Sequence, residues 1–212
     1  MESSIIELEK PAIYVVGTPI GNLSDFSLRG QQVLKSVDFI LAEDTRKSAL
    51  LLQRYKVKNQ MFSYHDFSDA TRVEEILRTI FEKPAAVALV TDSGTPLISD
   101  PGFTIVKKGS QKGVPVIPIP GPSALIACLS VSDIPIDRFI FEGFLPSKDS
   151  ARVSHLRKLM HESRSMVFYE APHRIVKFLE SVGISHDISH TLQKLYNPVR
   201  SLVKNHASRL ML

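Results

Sequence analysis

Short loops of glycine, proline and small polar residues follow apolar runs at six points of the chain, and loops of this composition commonly carry binding sites. Three of them contain no Lys or Arg: 17–22, 91–96 and 120–123. None matches the G-x-x-x-x-G-K-[ST] or G-x-G-x-x-G patterns of phosphate-binding loops. Triphosphate sites place cations against the phosphates. These loops therefore favour a ligand that has no phosphate group.

Acidic residues near the loops narrow the chemistry of that ligand. Asp92, Asp100 and Glu170 lie at or near the ends of apolar runs. S-adenosylmethionine combines a neutral adenosine, a zwitterionic methionine and a cationic sulfonium, so backbone groups, small hydroxyls and a carboxylate could bind it. The alternative for any single loop is that its glycines make a tight turn and its acid caps a helix. Coincidence across several loops is a weaker explanation.

The run Glu43-Asp44-Thr45-Arg46-Lys47 is a second group with chemical potential. Arg46 and Lys47 are suited to hold nucleic-acid phosphates while a carboxylate faces the ribose. If the reaction removes a proton from a ribose hydroxyl, Asp44 is the candidate to accept or orient that proton. The alternative is a helix N-terminus, where acidic side chains interact favourably with the helix dipole. Both interpretations stay open.

Other reactive side chains give weaker signals. His186 and His190 have a metal-compatible spacing but lack the Glu of H-E-x-x-H and a third ligand, so we predict a polar surface and no metal site. His65 and Asp66 are either a proton-transfer pair or a loop turn. Cys128 is expected to be a core residue.

The elements that must position these loops alternate between strand and helix. Strands are predicted at 12–16, 38–41, 86–90, 114–119, 139–141 and 165–169. Helices are predicted at 27–37, 45–55, 103–112, 123–132, 149–163 and 173–182, with a further helix whose apolar stripe is Val73, Ile76, Leu77, Ile80 and Phe81. This alternation predicts parallel α/β sheets, which bind ligands outside the carboxyl ends of their strands.

A proline-rich passage at 114–122 indicates how the domains are arranged. Each proline removes a hydrogen-bond donor, so the passage fits an edge strand that runs into a stiff linker. We predict an N-terminal α/β domain at 1–120 and a C-terminal α/β domain at 121–212. A cleft between two such lobes is a common place for a small ligand.

Composition limits the class of protein. The 212 residues are 43% hydrophobic and 23% charged, which is typical of a globular chain with a continuous core. A single cysteine excludes a disulfide framework, and no apolar run approaches a membrane span, so we expect a cytoplasmic protein without membrane contact. Residues 1–147 hold 15 Lys/Arg against 17 Asp/Glu, a net of −2, whereas residues 148–212 hold 11 against 5, a net of +6. The basic end is suited to a polyanion.

Six extended motifs give the chain a family resemblance. They are Tyr14–Ser24, Ala42–Arg46, Asp92–Gly102, Pro120–Ala124, Gly143–Pro146 and Phe168–Arg174. Together, and in this order over residues 11–182, they closely resemble the ribosomal RNA small subunit methyltransferase I family of the tetrapyrrole methylase superfamily. The resemblance implies a two-lobed fold, S-adenosyl-L-methionine in the cleft, a homodimer, and 2′-O-methylation of a cytidine ribose in 16S rRNA of the small ribosomal subunit.

The same resemblance implies which residues bind the cofactor. The Pro19 turn, Gly94, Thr95 and Pro96 with Ile98, and Ser123 with Ala124 match the cofactor-binding loops of the superfamily. Tyr169 and Glu170 begin the part of the second lobe that closes over them. Glu43, Arg46 and Lys47 have no cofactor counterpart and are assigned to substrate.

After about residue 182 the sequence departs from the family pattern, so we expect an incomplete second lobe and a truncated or altered gene product. Two alternatives to an active rRNA methyltransferase follow. One is a non-catalytic remnant with residual RNA binding. The other is a methylase for a tetrapyrrole or another small molecule.

Overall fold

The computed structural model of the chain describes residues 6–65 and 70–184. Asp66, His186, His190 and nearly all of the sequence after residue 182 lie outside the described residues, so the expectations placed on them are not addressed by the fold. The chain divides into two compact units, Met1–Ser130 and a second unit that begins at Val131. The sequence-based boundary was set near residue 120.

The first unit is built on a five-stranded parallel sheet. Its strands are β1 (Ala12–Val16), β2 (Phe39–Ala42), β3 (Met61–Ser63), β4 (Ala86–Val90) and β5 (Val116–Ile119). Their order across the sheet is β3-β2-β4-β1-β5, and every neighbouring pair is parallel. The predicted parallel α/β architecture is confirmed. The proline-rich β5 is an edge strand, as predicted, whereas β3 was not predicted.

Helices cover both faces of this sheet. The helices of this unit are α1 (Leu28–Ser36), α2 (Thr45–Arg54), α3 (Ala70–Glu82), α4 (Phe103–Gln111) and α5 (Ala124–Ser130), with a 3-10 turn at Leu23–Asp25. Successive side chains of a strand point to opposite faces, so Ile13 and Tyr14 enter two different apolar cores. The first core contains Val33 of α1 and Leu51 of α2, and the second contains Leu77 of α3.

Two predictions about side chains in this unit are wrong. Phe81, the last member of the predicted apolar stripe of α3, is 40% exposed, because the stripe meets the core only through the four residues before it. Cys128 is exposed instead of buried. The buried residue of the short helix α5 is Leu129, the next position along, so Cys128 falls on another face of the helix.

The second unit contains a two-stranded parallel sheet and two helices in its described part. The strands are β6 (Phe139–Phe144) and β7 (Ser165–Tyr169), and the helices are α6 (Asp149–Lys158) and α7 (Ile175–Ile184), preceded by a 3-10 turn at Pro172–Arg174. A register shift between Phe141 and Gly143 marks a bulge at Glu142, and Gly143 takes the left-handed conformation with φ +62°. Strands joined by helices in parallel register confirm the predicted α/β class here too.

A buried arginine holds the second unit together. The Arg152 side chain of α6 is 2% exposed. Its Nε donates to Ser181 Oγ of α7 at 3.0 Å, its Nη1 donates to the carbonyls of Pro146 and Ser147, and its Nη2 pairs with Asp149 at 2.5 Å. A single guanidinium therefore fixes both helices and the loop after β6.

Within the described part of the chain, every helix is too short or too polar to cross a membrane.

Candidate functional site

The loops predicted to bind a ligand leave the carboxyl ends of three adjacent strands. Strands β4, β1 and β5 are neighbours in the sheet, and the loops that follow them begin at Thr91, Gly17 and Pro120. Parallel strands share a direction, so their carboxyl ends meet at one edge. The structure therefore brings together the loops that carry Pro19, Gly94 and Ser123.

Backbone hydrogen bonds join the first two of these loops. Thr18 N donates to Gly94 O at 2.8 Å, and Gly94 N donates to Thr18 O at 3.2 Å. Thr18 is buried, and its hydroxyl lies 3.3 Å from Thr91 O and 3.4 Å from Gly94 O. Pro19 and Gly94, which the family resemblance assigns to the cofactor, thus belong to two turns joined by hydrogen bonds.

The third loop packs against the other two through glycine. A Cβ atom on Gly121 would lie 2.6 Å from Gly17 O and 2.8 Å from Gly17 C, so neither position has room for a larger residue. Gly94 has φ +84°, and a Cβ there would meet Ile20 at 3.4 Å and Pro122 O at 4.0 Å. The Thr95 hydroxyl lies 3.5 Å from Pro122 O. Gly94 is therefore the point at which all three loops approach one another.

The loop after β4 has an unusual backbone. Leu97 and Ser99 adopt φ values of 73° and 64°, a left-handed conformation that non-glycine residues rarely take, and Gly102 has φ +130°. Pro96 is buried in this loop, whereas Ile98 is 42% exposed. Such conformations are costly, and they concentrate at functional sites where the surrounding structure imposes them. The loop presents Ile98 as an apolar surface beside Gly94 and Thr95.

A cavity of about 400 Å³ opens at the same edge, beside the exits of β2, β3 and β4. It is lined by Glu43, Asp44, Thr45, Arg46, Ser63, His65 and Asp92. Three residues assigned to substrate or catalysis from the sequence, Glu43, Asp44 and Arg46, therefore share one cavity. Asp92 connects it to the loop that carries Gly94, two residues later.

Asp44 caps α2 and is bound by Arg46 on both carboxylate oxygens. Its Oδ1 accepts from Arg46 N at 2.9 Å and from Arg46 Nε at 3.1 Å, and its Oδ2 accepts from Arg46 Nη2 at 2.8 Å. The hydrogen bonds from Arg46 hold the pKa of this carboxyl well below its usual range. An acid this strong is a weak proton acceptor at neutral pH, so the geometry favours the orienting role of the two predicted for Asp44.

Lys47 pairs with Asp92, which lies on the next loop. Its Nζ lies 2.5 Å from Asp92 Oδ2, and the hydrogen bond and charge of Asp92 raise the pKa of Lys47. Asp92 Oδ1 accepts from Asp44 N at 3.2 Å, and Glu43 accepts from Asp92 N at 3.3 Å. These bonds tie the loop after β2 to the loop after β4. Lys47 stays charged, and its side chain is 64% exposed, so an incoming phosphate can reach it.

The pKa of Asp100 is shifted in the opposite direction from that of Asp44. Burial raises the pKa of Asp100 to about 6, and the negative charges of Glu43 and Asp92 add to the effect. The nearby Thr91 hydroxyl lowers the pKa of Asp100 by a smaller amount. The site therefore carries a negative field that favours a cationic ligand.

Ser63 and His65 line the cavity. The sequence offered His65 only as half of a possible proton-transfer pair with Asp66, outside this site, and it gave Ser63 no role. Ser63 Oγ lies 3.0 Å from His65 Nε2. Ser63 ends β3, a strand of only three residues whose pattern is too short to show alternation. One signal could have found them. Ligands bind at the carboxyl ends of parallel strands, and a strand that pairs in parallel with β2 ends at the same edge of the sheet as β2.

Tyr169 and Glu170 belong to the second unit, where they follow the end of β7. The Glu170 side chain is 3% exposed, and its Oε1 accepts from Arg174 Nε at 3.1 Å and from Ala171 N at 2.8 Å. Arg174 also donates to Leu145 O at 3.0 Å, which joins the loops after β6 and β7. Glu170 thus has a structural role in its own unit, and its assignment to the cofactor, like that of Tyr169, stays a prediction.

No group of three His, Cys, Asp or Glu side chains with the geometry of a metal site occurs among residues 6–65 and 70–184. The acids of the cavity are engaged by Arg46, Lys47 and backbone N–H groups instead.

Comparison with known proteins gives a consistent result. The family model for tetrapyrrole (corrin/porphyrin) methylases matches residues 12–200. Proteins named ribosomal RNA small subunit methyltransferase I are similar in sequence. The one from Xylella fastidiosa is 48% identical over 81% of this chain and 62% of its own length. The one from Pseudomonas aeruginosa is 41% identical over 90% of this chain and 69% of its own length.

Solved structures support the fold. A cobalt precorrin-4 methyltransferase of cobalamin biosynthesis superposes with a TM-score of 0.60 at 16% identity, covering 83% of this chain and 75% of that protein. A diphthine synthase gives a TM-score of 0.63 at 14% identity, covering 82% and 71%. The chain spans about three fifths of the length of most of the curated relatives it matches, for example 59% of the Escherichia coli O157:H7 protein, which is 43% identical over 80% of this chain.

Proposed function

Because this chain belongs to the tetrapyrrole methylase family, in the group named ribosomal RNA small subunit methyltransferase I, we propose that it methylates a cytidine ribose 2′-oxygen of 16S rRNA. Methyltransferases of this family use S-adenosyl-L-methionine as the methyl donor. The observation that carries the proposal is the meeting of three loops at Gly94, next to a cavity whose lining is suited to a ribose and its phosphates.

The loops at Gly94 fit this cofactor in shape and in charge. A Cβ on Gly94 would fill the space between Ile20 and Pro122, which is where a ligand can lie against bare backbone. Thr95 offers a hydroxyl, Ile98 an exposed apolar surface, and Ser123 and Ala124 small side chains. The charges of Glu43 and Asp92, which raise the pKa of Asp100, also favour a cation such as the sulfonium. When bound, the cofactor supplies an electrophilic methyl group.

The cavity beside these loops is the proposed substrate site. Arg46 is 88% exposed, so its guanidinium is accessible to an RNA phosphate. Glu43 faces the same cavity and is suited to accept a hydrogen bond from a ribose hydroxyl. Asp44 fixes Arg46 in position through two side-chain hydrogen bonds. The protein thus aligns the ribose oxygen, which is the largest contribution expected in a direct displacement.

The relatives' names supply the rest of the proposal. An RNA substrate within the small ribosomal subunit favours a cytoplasmic location for the enzyme, and the basic end of the chain is suited to that polyanion. A homodimer and a two-domain organisation remain part of the proposal, as does a role for Tyr169 and Glu170 in holding the cofactor.

A matched pair of glycine variants tests the cofactor site. Gly94 and Gly113 both have positive φ, +84° and +80°, but a Cβ on Gly113 meets nothing within 4 Å. Both Gly→Ala changes therefore carry similar backbone strain. We expect Gly94→Ala to weaken S-adenosylhomocysteine binding by about tenfold or more, as for the loss of about 1.4 kcal/mol, and Gly113→Ala to leave it unchanged, measured by calorimetric titration.

Methyl transfer from labelled S-adenosylmethionine to small ribosomal subunits tests the reaction itself, with the labelled nucleotide identified by mass spectrometry. Label on a cytidine 2′-oxygen is the expected result. Cofactor binding without transfer would indicate the non-catalytic remnant, and transfer to a tetrapyrrole instead of RNA would indicate the small-molecule methylase. Absence of cofactor binding by the intact chain would contradict the proposal.

A further inference from the structure

The cavity beside the Gly94 loops contains acids, bases and a serine, and their contacts separate them by chemical role. Asp44 is held by Arg46, and its pKa is far below neutrality. Lys47 is held by Asp92, which raises the pKa of the lysine. Asp92 is engaged by Lys47 and by Asp44 N. These groups are therefore poorly suited to accept a proton during catalysis at neutral pH.

His65 is the cavity residue whose type titrates near neutrality. Its Nε2 lies 3.0 Å from Ser63 Oγ, within the range in which a serine hydroxyl and an imidazole exchange a proton. Both side chains are exposed and reach the cavity from the end of β3. The charged groups of the other elements lining this cavity are Glu43, Asp44, Arg46 and Asp92, with Lys47 paired to Asp92.

We propose that Ser63 and His65 form the proton-accepting pair for the ribose hydroxyl, an inference that rests on the proposed function. The new bond joins the 2′-oxygen to the methyl carbon while the bond between that carbon and the sulfonium sulfur breaks, which leaves a neutral thioether. The proton of the 2′-hydroxyl passes to Ser63 Oγ, and the Ser63 proton passes to His65 Nε2. The resulting imidazolium then releases its proton to solvent.

The Ser63–His65 pair gives the site a proton acceptor other than Asp44. Asp44 orients Arg46, Arg46 holds phosphate, and the proton leaves through Ser63 and His65 at the end of β3. The contribution of such a group is on the order of 100-fold in rate. It acts on kcat, because the proton moves only when the bond to the methyl group forms.

Four variants of the full chain test this assignment with small ribosomal subunits as substrate. His65→Asn and Ser63→Ala are expected to lower kcat by about 100-fold and about tenfold with little change in KM. Ser63→Thr keeps the hydroxyl and is expected to restore most of the rate. His161→Asn is the matched control, since His161 is an exposed histidine of the second unit outside the cavity. It should leave the rate unchanged.

The pH profile separates a proton acceptor from a structural residue. In the wild-type chain, kcat should rise with pH as a histidine loses its proton, and this limb should be absent in His65→Asn. Asp100→Asn should retain it. If Asp100→Asn loses the limb instead, the proton acceptor is Asp100 and the inference is wrong.

A second readout does not depend on turnover. The imidazole NMR signals that vanish in His65→Asn should shift when a cytidine-containing oligoribonucleotide is added to the wild-type chain. Unshifted signals, or an active wild-type chain whose Ser63→Ala and His65→Asn variants keep its rate and pH profile, would overturn this inference alone. A wild-type chain that binds cofactor but methylates no RNA would overturn the proposed function, and this inference with it.

Discussion

Individual residues at the carboxyl edge of the first sheet differ in ionisation because their partners differ. Asp44 meets a guanidinium on both oxygens, so its pKa is lowered. Asp100 is partly buried and lies near the negative charges of Glu43 and Asp92, so its pKa rises to about 6. One aspartate is therefore a fixed anion, whereas the other changes charge just below neutral pH. A raised pKa of the second kind makes stability depend on pH between about 4 and neutrality.

Asp100 is expected to stabilise the fold only at low pH. The folded chain binds its proton more tightly than the unfolded chain, whose aspartate titrates near 3.8, so the contribution is complete below about pH 4 and is lost as pH rises through about 6. Asp100→Asn should remove this loss. The change in the free energy of unfolding between pH 4 and pH 7 should then be smaller than in the wild-type chain by on the order of 1 kcal/mol, after allowance for partial exposure. Urea denaturation at several pH values measures it.

Asp133→Asn is the control for that experiment, since Asp133 is an exposed aspartate of the second unit. It should leave the difference between pH 4 and pH 7 at its wild-type value. Equal pH dependence in the wild-type chain and Asp100→Asn would show that Asp100 titrates normally.

Elements of the fold are held by a few long side chains as well as by apolar cores. In the second unit, Arg152 joins α6, α7 and the loop after β6, and the buried apolar cluster around it is small: Leu145, Leu156, Phe178, Leu179 and Val182. Removal of the guanidinium would leave Ser181 Oγ and two carbonyls without their donor and would open a cavity. The packing of both helices therefore depends on Arg152.

Arg152→Ala should destabilise the second unit by about 2–4 kcal/mol. Arg157→Ala is the matched change on the same helix, at an exposed position, and should cost less than about 0.5 kcal/mol. Amide hydrogen exchange of the full chain, followed in α6 and α7, measures both effects. Similar protection of α7 in the two variants would contradict the structural role of Arg152.

The whole molecule carries its charge unevenly. The net charge of +6 over residues 148–212 contrasts with −2 over residues 1–147, and Arg157 and Lys158 are exposed at the end of α6. By contrast, Lys58 and Lys83 lie in helix-to-strand connections at the amino end of the first sheet, away from the cavity. Under the proposed function, RNA phosphates should interact with the first pair of cations and not with the second.

Charge reversal at these two places tests this asymmetry. The double variant Arg157→Glu with Lys158→Glu should weaken binding to 16S rRNA and reduce the slope of log affinity against log salt by about 1–2. The double variant Lys58→Glu with Lys83→Glu makes the same change in net charge and should bind like the wild-type chain. Filter binding at several salt concentrations gives both quantities, and equal weakening by the two variants would mean that only net charge matters.

The sequence by itself determined the features that local chemistry controls. Alternating apolar runs predicted the strands and helices around β1, β2, β4 and β5, and prolines at 115, 118 and 120 predicted that β5 is an edge strand. The composition of the 17–22, 91–96 and 120–123 loops predicted that they share a ligand. Their convergence at Gly94 followed from the rule that parallel strands end together.

Only the tertiary structure decided the contacts between segments that are far apart in the chain. The three residues of β3 form a strand because they pair with β2, and no local pattern records that pairing. The same pairing brings Ser63 and His65 into the cavity with Arg46 and Asp92. Burial, ion pairing and pKa depend on such neighbours, so the sequence could name Asp44 and Asp100 but not their different ionisation.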